Sequence, residues 1–368
     1  MMRPKEFKFS MTLFMLLLFT ASLHSQSYTK ENRIEKSFPV YDDTEIEISN
    51  KYGDITLESW EKDSVKIVID YKVTSTKEVK LNKTYDAIGI DFKANKYYIV
   101  ATTEFNGKGS FWSDVSDIAS NLFTGGTNTS IDYIVYAPDN KYVSLNLKYG
   151  NIYLANHKGS IKVALSNGDF KAHNLSSNSE LDIEFGDATV NNIVDGKVRI
   201  SYGTLTLEEA QNLTIGGQSS EYEIANVDYL TIDSKRDKIF IEKVNNVTGN
   251  TYFSRLEIDK LEGSLDVNTK YGSFKLKEIG NQVNSIKLDN NNTTVNFYLQ
   301  KENSYKIDLT SDEKADVTYS ANLGDFSTEE IKGKENIMKA RCLYGTNNLA
   351  IPIKIDIRSG FLSIKLED

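Results

Sequence analysis

Three aspartates that follow glycines at equivalent places in the chain are the first residues that could do chemistry. Asp54, Asp169 and Asp187 stand in the segments GDITL, GDFKA and GDATV. Carboxylates stacked at a regular spacing could bind calcium. Later copies of the pattern carry other residue types at the same place, namely Thr204, Glu221, Lys238 and Ser273. We therefore expect hydrogen-bonded turn residues with solvated carboxylates, and predict no metal site.

The histidines and the cysteine offer no catalytic constellation. Beyond residue 25 the histidines are His157 and His173, and neither has the spacing of a metal ligand. His157 falls in an otherwise apolar column, so we expect a hydrogen-bonded core or edge histidine, and we expect His173 to be solvated. Cys342 is the only cysteine, which excludes an intramolecular disulfide and a cysteine-rich zinc site. Nucleophile elbows, phosphate loops and zinc signatures are absent, so we predict no catalytic, cofactor-binding or metal-binding residues.

Residues 1–25 have the pattern of a signal peptide. Arg3, Lys5 and Lys8 precede the apolar run MTLFMLLLFTASL, which is short for a membrane span, and small and polar residues follow up to Ser25. An uncleaved anchor is the less favoured alternative because the flank after His24 is polar. The cleavage region contains no cysteine, so we predict an exported protein that is not a lipoprotein.

The charge balance excludes two classes of partner. Removing residues 1–25 takes away three basic residues and Glu6, which changes the formal net charge from −9 to −11. Nucleic acids and anionic lipids require a basic footprint that such a chain lacks. We expect no nucleic-acid partner and no transmembrane segment after cleavage, and the sequence leaves the oligomeric state open.

An internal repeat predicts the fold. With Gly150 as position zero, the same local pattern returns in steps of 17 or 18 residues. The further zero positions are Gly168, Gly186, Gly203, Ser220, Asp237, Ser254 and Gly272. Residues two and four positions beyond zero are apolar in every copy, and the column seven beyond zero is apolar except at His157. A second run of alternating apolar residues precedes most zero positions. Its apolar residues lie at odd distances before zero, whereas those after zero lie at even distances, so the inward-facing parity changes at the zero position.

Each zero position predicts a sharp corner between two strands. Glycine adopts positive φ without steric cost, and its substitutes are small or turn-forming. Aromatic residues one position earlier would stack from corner to corner: Tyr52, Tyr149, Phe185, Tyr202, Phe253 and Tyr271. Asparagines six beyond zero predict a second, left-handed corner: Asn156, Asn174, Asn192 and Asn226. Two strands and two corners form one coil, and such coils must stack to bury a continuous core.

We therefore predict an all-β fold, a single-stranded β-solenoid that we expect to be right-handed, with about 11 or 12 coils. The predicted organisation is a signal peptide at 1–25, an N-terminal cap and first coil at 26–70, an insertion at 71–130 and the solenoid at 131–368. Gly53 begins an early coil, and Ile353, Ile355 and Ile357 belong to a late one. Between residues 290 and 350 the pattern loosens and the coils are not assigned.

The insertion combines three kinds of pattern. AIGIDFKANKYYIVAT predicts a β-hairpin, SFWSDVSDIASNLF an amphipathic helix, and TGGTNTS a flexible loop. The helix could cover apolar solenoid surface or could dock on a partner. Its polar face carries aspartates and no lysines, which argues against binding to anionic lipid.

The chain resembles the bacterial putative adhesin domains over most of residues 40–368. The resemblance lies in YGDITLESWEKDSVKIVI and in IDYIVYAPDNKYVSLNLKYGNIYL. These domains are exported β-solenoids of unknown function, related to the head domains of putative autotransporter adhesins. The resemblance implies a solenoid fold and a role in surface binding, and it supplies no functional residues.

Polysaccharide lyases and hydrolases with right-handed β-helices are the main enzymatic alternative. Such enzymes gather carboxylates on one face of successive coils. The outward column three beyond zero is instead mixed: Tyr153, Lys171, Thr189, Thr206, Glu223, Phe240, Glu257 and Lys275. We therefore predict a protein that is not an enzyme and has no cofactor.

The predicted function is that of a cell-envelope or surface-binding, adhesin-like protein whose partner is a glycan or an envelope protein. Its predicted location is the periplasm, the outer surface or the medium of a Gram-negative bacterium. A periplasmic structural or envelope-stress accessory protein is the third possibility.

The repeat register predicts which substitutions the chain tolerates. Val227→Asp or Val244→Asp would bury an unpaired charge between stacked coils at a cost of several kcal/mol, and should abolish soluble folded protein. Glu223→Lys changes an outward residue and should leave the melting temperature nearly unchanged. Soluble yield and circular dichroism measure both effects, and equal tolerance at the two kinds of position would contradict the register.

Overall fold

The described chain is almost entirely β-structure. The computed structural model describes residues 27–105, 126–330 and 337–367, and in these ranges it shows one α-helix and two 3₁₀ turns beside the strands. The predicted signal peptide and the predicted amphipathic helix at 110–123 lie outside the described residues. The chain divides into a small unit, residues 1–33, 70–89 and 104–130, and a large unit, residues 34–69, 90–103 and 131–368.

The elements follow one another along the chain as a long series of strands. Strands β1 to β7 are Tyr28–Pro39, Glu45–Tyr52, Ile55–Ser59, Ser64–Ser75, Ile88–Ala94, Tyr98–Phe105 and Thr127–Ala137, with helix α1 at Glu78–Ala87 between β4 and β5. Strands β8 to β16 are Val143–Tyr149, Ile152–His157, Ile161–Ser166, Phe170–Glu184, Ala188–Ser201, Thr204–Gln218, Glu221–Lys235, Lys238–Tyr252 and Arg255–Lys270. Strands β17 to β25 are Ser273–Ile279, Ser285–Asn291, Thr293–Gln300, Tyr305–Asp312, Ala315–Tyr319, Ser327–Glu330, Ile337–Tyr344, Ile351–Ile357 and Gly360–Glu367.

The small unit contains helix α1, which the sequence patterns did not predict. Its buried residues include Leu81 and Ala87. The ring of Tyr85 packs against that of Tyr71 at a centroid distance of 5.3 Å, and the Tyr71 hydroxyl accepts a hydrogen bond of 3.0 Å from the side chain of Asn32. Because EVKLNKTYDA contains few apolar residues, its helical periodicity is weak.

Parallel strand pairs in the large unit join each coil to the next. Leu205 of β13 pairs with Ala188 of β12 on one side and with Tyr222 of β14 on the other, a step of 17 residues each time. Residues two, four and seven positions beyond zero are buried in all eight regular coils. This pairing is that of a β-solenoid, and it confirms the predicted register.

The second predicted corner is wrong in its conformation. Asn174 and Asn192 pair with each other inside the long strands β11 and β12, and none of the four asparagines adopts positive φ. The strand bends there because two successive side chains, His173 and Asn174, both face outward. Asn156 and Asn174 are exposed and stacked on neighbouring coils, and the Asn174 amide donates a hydrogen bond of 2.6 Å to Asn156 Oδ1.

The corner at the zero position is real, but glycine occupies most copies for a different reason from the one predicted. Gly53 and Gly150 have positive φ, whereas in the coils that follow, the left-handed residue is the one before the zero position, for example Phe185 at φ 56° and Tyr202 at φ 60°. A Cβ atom added to Gly203 would overlap the carbonyl oxygen of the preceding corner glycine. In the coils that carry glycine, the absence of a Cβ atom therefore allows the stacked backbones to approach closely, and positive φ is not the reason for glycine there.

Near the N-terminus the chain folds back to add a coil outside the first one. Strand β6 pairs in parallel with β2, and β7 pairs with β3, while β2 and β3 pair on their other sides with β8 and β9. Part of the segment predicted as an insertion thus continues the solenoid. A turn at Asn95, whose N–H donates to the Tyr98 carbonyl at 2.9 Å, joins β5 to β6 where a hairpin was predicted.

At the other end, the final strands enter between earlier ones. Strand β24 pairs with both β18 and β20, and β25 pairs with both β19 and β21. Strand β20 pairs on its remaining side with the antiparallel strand β23. This change of order and direction explains why the repeat loosens between residues 290 and 350. No helix among the described residues is long and apolar enough to cross a bilayer.

The backbone contact at the corner predicts a large effect of one methyl group. Gly203→Ala should destabilise the protein by several kcal/mol, because the new Cβ would meet the carbonyl oxygen of Gly186 and force the stacked corners apart. The denaturant midpoint measures the loss.

Gly89→Ala is the matched control, since a Cβ atom there would meet only the Glu104 carbonyl oxygen, at 4.0 Å. Its midpoint should stay close to that of the wild type. A Gly203→Ala protein as stable as the control would show that the corners are not in close contact.

Candidate functional site

The aspartates beyond the corners are turn acceptors, as predicted. Asp54 Oδ1 accepts a hydrogen bond of 2.8 Å from the Asn151 N–H, and Asp187 Oδ1 accepts one of 2.8 Å from the Thr204 N–H. Asp169 Oδ1 accepts one of 3.2 Å from the Asp187 N–H. Each carboxylate thus binds the backbone of a neighbouring coil. Across the three described ranges, no group of three or more His, Cys, Asp or Glu residues is placed to hold a metal.

The two histidines lie where the sequence placed them. His157 is buried, and its Nε2 lies 2.9 Å from the carbonyl oxygen of Lys141. Burial lowers the pKa of His157 below its ordinary value, and the Lys141 carbonyl partly offsets this effect. His173 is exposed on β11. The first is therefore a core histidine.

A buried polar network replaces glycine at three successive corners. Asp237 Oδ1 accepts a hydrogen bond of 2.9 Å from the Ser220 N–H, and its Oδ2 accepts one of 2.8 Å from Ser234. The Ser254 hydroxyl accepts one of 3.1 Å from the Asp237 N–H. Burial raises the pKa of Asp237, and the hydrogen bonds partly offset the rise. The network lies inside the coil and stabilises the corner.

Aromatic side chains outside the corners form stacked pairs. The pairs Tyr52–Tyr149, Phe185–Tyr202 and Phe253–Tyr271 have centroid distances of 5.4, 5.0 and 5.0 Å. Phe185, Tyr202 and Phe253 nevertheless remain 53%, 48% and 50% exposed. In the coils from Phe185 onwards, these residues also adopt the left-handed conformation that bulky side chains disfavour. Exposed apolar rings are thus held at strained positions.

One groove, the corner groove, lies beside the last aromatic pair and has a volume of about 540 Å³. Five neighbouring parallel strands line it with the residues just before their corners, and β23 adds one apolar residue. The lining consists of Asn250–Tyr252, Asn268–Lys270, Asp289–Asn291, Asp356–Arg358, Thr310–Asp312 and Ile337. Strand pairing orders these segments as β15, β16, β18, β24 and β20.

The corner groove combines amides, carboxylates and cations. The Asn268 amide donates a hydrogen bond of 3.0 Å to Asn250 Oδ1, and Lys354 lies 3.5 Å from Asp356. Thr269 and Asn290 lie in the same strands but continue the inward-facing columns of Val267 and Leu288, and their Oγ1 and Oδ1 atoms are buried without a hydrogen-bond partner among the described residues. Sequence patterns predict no site here, because the lining residues are up to about 100 positions apart and come from strands whose spatial order does not follow the chain.

A second depression, the acidic hollow, lies on the outward face of the strands that follow the corners and has a volume of about 450 Å³. Its carboxylates are Glu208, Glu221, Glu223, Glu242, Glu257 and Asp259. They occupy the positions one, three and five beyond zero, which all face outward in a strand. The columns one and three beyond zero are each of mixed composition, so neither column alone predicts this cluster, which combines carboxylates from three columns.

Glu257 in the acidic hollow is tied to three cations. Its carboxylate lies 2.6 Å from Arg255, 3.0 Å from Lys277 and 3.3 Å from Lys275. Burial alone would raise the pKa of Glu257, but the hydrogen bonds from these cations lower it to about 2. The group is therefore ionised at neutral pH, whereas a general acid requires a raised pKa.

Comparisons with known proteins gave structural neighbours only. No family model matches the chain, and no curated protein matches it. It is similar to a solved structure described as a putative cell adhesion protein from Clostridium sporogenes, at 12% identity and a TM-score of 0.19, over 92% of this chain and 100% of that one.

Two further neighbours come from Bacteroidetes. A putative adhesin from Parabacteroides distasonis is 10% identical with a TM-score of 0.26, over 90% of this chain and 97% of that one. A putative adhesin from Bacteroides fragilis is 9% identical with a TM-score of 0.22, over 91% and 97%. These proteins carry the same description as the domains that the sequence resembles.

The Glu257 cluster predicts an acid-dependent contribution to stability. Glu257→Gln should lower the free energy of unfolding at pH 7 by about 1–3 kcal/mol, because three cations lose their carboxylate. Because the folded-state pKa of about 2 lies below the ordinary value of 4.5, this contribution is complete above pH 4.5 and disappears as the pH falls towards 2. Denaturant titrations of both proteins across this range measure the difference.

Glu242→Gln is the control, since Glu242 lines the same hollow and forms no ion pair with a described residue. It should change the free energy of unfolding by less than about 0.5 kcal/mol. A Glu257→Gln deficit that persists unchanged at pH 2.5 would contradict the assignment.

Proposed function

We propose that this protein is a non-catalytic, exported binding protein of the bacterial cell envelope or surface. It contacts its ligand through the corner face, the surface that carries the exposed aromatic residues Phe185, Tyr202 and Phe253. The observation that supports the proposal is the left-handed backbone conformation of exposed aromatic residues such as Phe185 and Tyr202. Asn167 and Asn292 occupy the same position in other coils, so folding does not require an aromatic residue there. Left-handed φ at a bulky residue costs roughly 1–2 kcal/mol, and such strain concentrates at functional sites.

The acidic hollow favours the second candidate, a polysaccharide-active enzyme. Carboxylates on successive coils are the groups that a glycoside hydrolase needs, and its acid must stay protonated near neutral pH. Glu257, the most buried of them, is instead held ionised by Arg255 and Lys277. We therefore prefer the non-catalytic binding function to the enzymatic one. A structural role in the periplasm is the remaining alternative, and it differs in where the protein is located.

The enzymatic alternative has a direct test. Purified residues 26–368 should release neither reducing ends nor unsaturated products from a panel of acidic polysaccharides, with or without calcium. Turnover that Glu223→Gln abolishes would replace the proposed function with the enzymatic one.

The binding function is tested on envelope fractions. The triple variant Phe185→Asn, Tyr202→Asn, Phe253→Asn should keep its fold and lose at least tenfold in retention on whole-cell envelope preparations. Tyr229→Asn is the matched control, because Tyr229 is 57% exposed but lies within a strand, away from the corners. Equal retention of both variants would contradict binding through the corner face.

Location is tested separately. Fractionation and protease treatment of whole cells should place the protein at the envelope and degrade it at the surface. Full protection in intact cells would favour the periplasmic accessory role.

A further inference from the structure

We infer that the corner groove binds an uncharged oligosaccharide, which lies across the five strands that line it. The inference rests on the proposed binding function and names its ligand class. Neighbouring strands of a sheet lie about 4.8 Å apart, so five strands span roughly 20 Å. Each step from strand to strand is close to the length of one hexopyranose unit. A polar residue stands at the same position of every strand, and the row consists of Asn250, Asn268, Asp289, Asp356 and Thr310.

The charges of the corner groove select an uncharged ligand. Its ionisable side chains are Asp289, Asp312, Asp356, Lys270 and Arg358. Asp289 and Asp356 are neighbours on adjacent strands, and Lys287 and Lys354 lie 3.9 and 3.5 Å from them. The groove thus holds charges of both signs, and a polyanion or a polycation would meet repulsion from one set or the other. Sugar hydroxyl groups both donate and accept hydrogen bonds, and carboxylates and guanidinium groups can serve them equally well.

The amides supply hydrogen-bonding groups of both kinds. Asn250 and Asn268 stand at equivalent positions of β15 and β16 and are joined by a single hydrogen bond of 3.0 Å. That bond uses one N–H of Asn268 and the carbonyl oxygen of Asn250, and it leaves the Asn250 amino group and the Asn268 carbonyl oxygen for a ligand. The ladder fixes the orientation of both amides before the ligand arrives, which lowers the entropy cost of binding.

Tyr252 forms an aromatic wall of the corner groove. It is 38% exposed, and its ring meets those of Phe253 and Tyr271 nearly at right angles, at centroid distances of 4.6 and 5.7 Å. These edge contacts hold the ring in one orientation. The Lys270 ammonium lies over this ring, 5.6 Å from its centroid, so the apolar face of a pyranose would stack on the exposed part of the ring beside the cation.

Calorimetric titration of the purified exported chain tests the inference with defined probes. The uncharged probes are cellohexaose, N-acetylchitohexaose and mannohexaose, and the charged probes are hexagalacturonate and the deacetylated chitosan hexamer. At least one uncharged probe should bind, and Tyr252→Ala and Asn250→Ala should each weaken its affinity at least tenfold. Tyr229→Ala, which removes an exposed ring that lies within a strand outside both the groove and the corners, should leave the affinity within twofold.

Three results would overturn the inference: binding of charged probes only, affinity unchanged in both Tyr252→Ala and Asn250→Ala, or no binding of any uncharged probe. Circular dichroism and melting temperature show whether each variant is folded. If Tyr252→Ala does not fold, the affinity of Asn250→Ala alone tests the inference.

Periodate oxidation of the envelope fractions separates this inference from the proposed function. Retention that oxidation abolishes supports a glycan ligand. Retention that survives both oxidation and an excess of soluble N-acetylchitohexaose, whose 1,4-linked units lack the vicinal diols that periodate cleaves, leaves the binding function intact and refutes the oligosaccharide. Absence of retention refutes the binding function itself.

Discussion

The close contact between stacked backbones at the corners is the constraint on which the rest of the structure depends. The carbonyl of one corner glycine faces the next corner glycine so closely that no side chain fits between them. Backbone hydrogen bonds run along the same line, for example from the Phe185 N–H to the Ser201 carbonyl oxygen at 2.9 Å. Once the corners are in register, parallel pairing on both sides follows, and the apolar columns meet across the core.

This constraint also determines what the outer surface presents. The residue at the zero position packs against its neighbours in the adjacent coils. The residue before it makes the tight turn: it adopts the left-handed conformation, and its side chain points outward. In successive coils such side chains lie one above another, and aromatic residues there stack. Where glycine is absent, at Ser220, Asp237 and Ser254, buried hydrogen bonds fill the same space. The fold thus fixes the position of the side chains on the corner face but does not fix their residue types.

Local periodicity predicted the repeated part of the fold well, because each coil has the same few requirements. Buried columns such as Leu205, Tyr222 and Ile239 alternate with outward residues, and this alternation is visible in the sequence. The spatial order of the strands, however, cannot be predicted from local sequence patterns. The strand at Tyr98–Phe105 and the final strands from Ile351 alternate like any other, and nothing in their residues specifies that they pair outside or between earlier coils. The corner groove depends on that order, so the sequence did not predict it.

We propose that the corner aromatics are retained for binding and not for folding. The free energy of unfolding of the double variant Phe185→Asn, Tyr202→Asn, measured by denaturant titration against the wild type, tests this directly. The two asparagines relieve left-handed strain, and the variant loses one stacked aromatic pair; these effects, each about 1 kcal/mol per residue or per pair, oppose one another. The stability of the double variant should therefore lie within about 1 kcal/mol of the wild type. A loss of more than about 3 kcal/mol would show instead that the aromatics hold the stacked coils together and are retained for folding.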